Sequence, residues 1–175
     1  MDKRGQFFLI TAMILVAIIL GFATITNKSK TGEFAELDIL ADQLKIEAQS
    51  VIDYSSYNSV NIETQLTKFA DNFSAYSEAE NIYFLFGNST RITVAAYQKN
   101  NPGRILVNGI EFNIEQGVFN SNSYDSPDNP TTLTINGLDH DFDLKNGTNF
   151  YFIISEGEEE GGYFLTGGVI DNLKN

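Results

Sequence analysis

Apolar and polar positions divide the chain into three textures. The first is a run of twenty mostly apolar residues, Phe7 to Thr26, with no charge between Arg4 and Lys28. A helix lying on a globular core shows a polar face, and this run shows none. At 1.5 Å rise per residue it makes a helix about 30 Å long, the thickness of a bilayer's hydrocarbon core. The pattern predicts a transmembrane helix over 6–27. Its membrane-facing positions are Phe7, Phe8, Leu9, Ile10, Ile14, Leu15, Val16, Ile18, Ile19, Leu20, Phe22 and Ile25. Polar residues 28–32 break the run and read as a linker.

The second texture, 33–78, is helical. Leu37, Leu40, Ala41, Leu44, Ala48, Val51 and Ile52 recur at spacings of three and four, with charged residues between them. Glu33 and Glu36 suit the positive end of that helix. Residues 54–61 (YSSYNSVN) form a break. A second stripe follows at Ile62, Leu66, Phe69, Ala70, Phe73 and Tyr76, with Asn61 placed to cap it. Two amphipathic helices joined this closely should pack on each other or on one sheet.

The third texture, 79–175, is a series of short β runs: 82–86, 91–97, 104–107, 110–114, 132–135, 138–144, 149–155 and 163–170. Asn-Gly stands between apolar runs at 108–109, 136–137 and 146–147. A type I′ turn needs positive φ twice, so each pair predicts a hairpin. Residues 116–130 lack periodicity and read as a long loop with Phe119 and Tyr124 as its apolar contacts. The expected fold class is α+β. It comprises one N-terminal transmembrane helix, two amphipathic helices, and an antiparallel β-sheet head of about eight strands, as one curved sheet or a small sandwich.

Charge then sets the orientation. Lys3 and Arg4 precede the apolar run, and the free amine adds a positive charge on that side. The head is therefore expected outside the membrane, on a single-pass cell-membrane chain. Setting aside Asp2, Lys3 and Arg4 leaves 22 acidic and 9 basic residues beyond the run, a net of −13. That balance argues against nucleic acid, which wants a basic face. With no cysteine and one histidine, disulfides, thiol nucleophiles, thiolate metal sites and multi-histidine metal sites are excluded.

Lys3-Arg4-Gly5-Gln6-Phe7-Phe8 stands directly before the apolar run. This opening resembles the class III signal of archaeal type IV pilin-like proteins. The resemblance implies that a prepilin peptidase reads Lys3 and Arg4 and cuts between Gly5 and Gln6, freeing residues 1–5 as a basic leader. It further implies a helix used first as membrane anchor and then in a filament, with a β head and other pilin-like subunits as partners. Bacterial-type pilins carry a glutamate at the fifth mature position, and here that position is Ile10.

Candidate chemistry in the head is sparse. Strand alternation places Asp139, Asp141 and Asp143 on one face, with Leu138, His140, Phe142 and Leu144 on the other. Carboxylates about 7 Å apart are too distant for a catalytic dyad. With help from a neighbouring strand they could take Ca²⁺, the one cofactor the sequence suggests. Residues 156–162 place four glutamates among glycines, as in a solvated turn. N-x-[ST] acceptors occur at Asn27, Asn88 and Asn146, and at Asn72 within a predicted helix. No nucleophile is paired with a base by any recognisable motif, so no enzymatic activity is expected. The sequence leads to a membrane-anchored pilin-like surface protein acting in filament or envelope assembly or adhesion through non-covalent contacts. The alternative is a permanently signal-anchored extracellular ligand- or sugar-binding module.

Overall fold

The computed structural model describes residues 37, 39–77, 79–156 and 163–167. The chain divides into two compact units, Met1–Ile39 and Leu40–Asn175, and the second is described here. It opens with helix α1 (residues 39–57), which buries Ala41, Leu44, Ala48 and Ile52. Helix α2 (Ile62–Tyr76) buries Leu66, Ala70 and Phe73. The Asn61 side chain caps α2 by accepting from the Thr64 N–H at 2.7 Å. The Tyr76 hydroxyl donates to Glu47 Oε2 at 2.7 Å and ties the two helices together.

Nine strands follow among the described residues: β1 (Asn81–Asn88), β2 (Arg91–Gln98), β3 (Gly103–Val107), β4 (Ile110–Ile114), β5 (Asn120–Asp125), β6 (Thr131–Ile135), β7 (Leu138–Phe142), β8 (Asn149–Glu156) and β9 (Tyr163–Gly167). They form two antiparallel sheets, ordered β5-β2-β1-β8-β9 and β4-β3-β6-β7. The sheets pack face to face. Tyr83, Leu85, Val94, Tyr151 and Ile153 from the larger meet Ile105, Val107, Phe112, Leu133, Ile135 and Phe142 from the smaller. The other face of the larger sheet carries Ile82, Phe84, Phe86, Phe150, Phe152 and Ile154, all buried, with α2 against it. Phe150 is the hub of that face. Its ring centroid lies 6.1 Å from Phe84 and from Phe86, 6.2 Å from Phe69 of α2 and 6.4 Å from Phe152. The order is helices, five-stranded sheet, four-stranded sheet.

This corrects the expected fold class. The chain is mostly β, in two packed antiparallel sheets, and not the α+β combination of one transmembrane helix, two amphipathic helices and a β-sheet head. The expected transmembrane helix over 6–27 lies outside the described residues. Among the described residues no helix is long and apolar enough to cross a membrane. The expected loop at 116–130 contains β5, which pairs with β2 from Arg91↔Asp125 to Ala96↔Asn120. It is a polar edge strand (NSNSYD), so it shows no apolar alternation.

Two of the three Asn-Gly pairs close hairpins. Asn108-Gly109 joins β3 to β4 and Asn136-Gly137 joins β6 to β7, with φ of 48° and 79°, then 51° and 79°. Asn146-Gly147 does not. It lies where the chain leaves the small sheet after β7 and enters the large one at β8. Asn149 organises that crossing. Its Oδ1 accepts from the Lys145 N–H at 2.9 Å, and its Nδ2 donates to the carbonyls of Lys145 at 2.9 Å and Gly87 at 3.3 Å.

Candidate functional site

The processing residues Lys3, Arg4, Gly5 and Gln6, the apolar positions from Phe7 to Ile25, and Asn27 all lie outside the described residues. Residues 157–162 of the glutamate-rich turn do so as well. Asn88 is exposed at the end of β1, where its Oδ1 accepts from the N–H groups of Thr90 at 2.9 Å and Arg91 at 3.1 Å. Asn146 is exposed in the crossing before β8. Asn72 is exposed on α2, but Ser74 of the same N-x-S is buried.

Asp139 and Asp141 each accept a hydroxyl from the neighbouring strand: Thr134 Oγ1 to Asp139 at 2.7 Å, Thr132 Oγ1 to Asp141 at 2.6 Å. Asp143 lies past the end of β7, and its backbone carbonyl accepts from the Tyr151 hydroxyl. Among the described residues no three acidic or imidazole groups converge as a metal site would require. The opposite face of β7 was expected to be apolar from Leu138 onward. Phe142 and Leu144 are buried there, but Leu138 at the hairpin tip is 53% exposed. Burial pulls the His140 imidazole below its ordinary pKa, against the opposing pull of Asp139 and Asp141. Phe119 and Tyr124 face inward rather than outward: Phe119 sits 6.5 Å from the Phe84 ring, and Tyr124 packs on the sandwich core.

A polar cluster that the sequence did not signal joins α2 to the large sheet. Glu63, in the first turn of α2, accepts on a single oxygen, Oε1, from Thr93 Oγ1 at 2.6 Å, Ser123 Oγ at 3.0 Å and Arg91 Nε at 3.3 Å. Arg91 also donates to Asp125 at 3.3 Å. β2 and β5 place these partners in register, with Arg91 opposite Asp125 and Thr93 opposite Ser123. The Thr93 hydroxyl lowers the Glu63 pKa most; burial raises it, and Ser123 and Arg91 lower it further. These bonds make the cluster a clamp that ties α2 to strands β2 and β5.

An open groove of about 430 Å³ runs between the helices. Val51 and Tyr54 of α1 face Gln65, Lys68, Phe69 and Asn72 of α2 across it. Gln65, Lys68 and Asn72 are three and four residues apart and so share one helical face. That spacing was available in the sequence, but the apolar stripe beside it was the stronger signal. Compared with family models, with curated proteins and with solved structures, the chain matches none.

Proposed function

We propose that this chain is a pilin-like surface protein, held at the cell membrane by the apolar run Phe7–Thr26 and acting in filament or envelope assembly or adhesion through non-covalent contacts of its head. One observation carries the reading: Lys3-Arg4-Gly5-Gln6 stands directly before an uncharged run of bilayer length. Cutting between Gly5 and Gln6 removes Lys3 and Arg4, the charges that hold the leader at the cytoplasmic surface. The apolar run can then leave lipid for contacts with its neighbours. The acid-rich remainder suits a well-hydrated surface.

The test is the intact mass of the membrane-extracted chain, expressed with and without an archaeal prepilin peptidase. The expected outcome is a terminus at Gln6 only when the peptidase is present. A terminus that stays at Met1, while the same peptidase cuts a known substrate alongside, would overturn the proposal. The second reading, an anchored ligand-binding module, is favoured by the groove between α1 and α2.

A further inference from the structure

We propose that the groove between α1 and α2 binds an acidic oligosaccharide, a short chain of uronic acid rings. The argument begins with charge. The chain carries 23 acidic against 11 basic residues, yet among the described residues no carboxylate lines this groove, and Lys68 does. Among the described residues Lys68 has no ion-pair partner. An acidic protein with an unpaired ammonium at its groove complements an anion there.

The other lining groups define what carries that anion. Tyr54 is 58% exposed, so its ring is open for stacking, and Val51 and Phe69 extend the apolar surface beside it. One face of a pyranose ring is a sheet of C–H bonds that packs on such a surface. The amides of Gln65 and Asn72 stand among these groups, and each can donate and accept. Paired donors and acceptors are what vicinal hydroxyls require. An acyl chain would want an enclosed apolar pocket, whereas this groove is open and has amides among its lining. A volume of about 430 Å³ is at the small end of ligand sites and suits two or three sugar rings. The inference does not depend on processing at Gly5, so either proposal can fail alone.

The test is calorimetric titration of the full chain in detergent with the trimer of galacturonic acid, and with the same trimer methyl-esterified at its carboxyls. Saturable binding of the acid is expected, with the ester at least tenfold weaker. Lys68→Gln should weaken the acid at least tenfold and erase the preference over the ester. Tyr54→Ala should weaken both ligands. Tyr57→Ala, on the same helix but outside the groove, should leave binding unchanged. Tyr54 and Lys68 are exposed, so both variants should melt as the parent does. No saturable binding of the acid, equal binding of the ester, or unchanged binding in Lys68→Gln and Tyr54→Ala would each overturn the proposal.

Discussion

Replacing Glu63 by glutamine tests the clamp that holds α2 on the large sheet. The substitution keeps the shape and removes the charge. Hydrogen bonds to a charged acceptor contribute roughly 1.5–3 kcal/mol and neutral ones roughly 0.5–1.5. Each of the two hydroxyl bonds, from Thr93 and Ser123, therefore weakens by about 1 kcal/mol. The exposed pair with Arg91 adds up to about 1 kcal/mol, and the carboxylate in the first helical turn about 0.5. The Glu63 side chain is 34% exposed, so solvent screening takes roughly half of that sum. The expected loss is about 1.5 kcal/mol, read as a lower urea midpoint with unchanged slope. The pH dependence has a fixed sign. The folded pKa of Glu63 lies below its ordinary value of 4.5. Its contribution is therefore complete above about pH 4.5 and fades as pH falls through the folded pKa. The gap between parent and Glu63→Gln should be about 1.5 kcal/mol at pH 7 and shrink toward zero as the pH falls through the folded pKa. A gap under about 0.5 kcal/mol at pH 7, or one equally large in acid, would refute the reasoning.

Two further substitutions probe the layers. Phe150→Ala removes a fully buried ring in contact with four others, and should lower stability by about 4 kcal/mol in urea unfolding. A loss under about 2 kcal/mol would mean that this aromatic face is loosely packed. Asn149→Ala strips partners from the Lys145 N–H and from the carbonyls of Lys145 and Gly87, and should cost about 2–3 kcal/mol in a thermal melt. A near-neutral effect would show that the sheet crossing forms without this amide.

Much of the fold was legible, and one part was legible but misread. The strands of the small sheet alternate buried and open positions, as in β6 with Leu133 and Ile135 inward and Thr132 and Thr134 outward, and this is the ordinary mark of a sheet with one wet face. β1 instead reads Ile-Tyr-Phe-Leu-Phe without a polar break, and β8 reads Phe-Tyr-Phe-Ile-Ile. A continuous apolar run signals a strand buried on both faces, hence a middle layer with helices on one side and a second sheet on the other. β5 was hidden for the opposite reason. At the sheet edge only Tyr124 reaches the core, so composition speaks for loop. The third Asn-Gly misled because the dipeptide encodes a local turn, whereas the choice between hairpin and crossover is made by Asn149 through bonds to Lys145 and, far away in sequence, Gly87. The Glu63 clamp joins residues from one helix and two strands, and no local pattern announces such a meeting.

The pairing of β1 with β8 has a consequence for the order of assembly. β1 runs down the middle of the large sheet, yet its register there matches Ile82 with Ile154, near opposite ends of the head. The whole small sheet, Gly103 to Phe142, is nested between them. Its strands are joined by short turns or adjoin one another, so that block can close on its own as the polypeptide emerges. The aromatic strand Ile82–Phe86, by contrast, keeps one edge unsatisfied until β8 has been made. Long-range pairing of this kind is slow, and an open apolar edge is prone to pair with a stranger. Synthesis therefore leaves this protein's most hydrophobic sheet to be completed last.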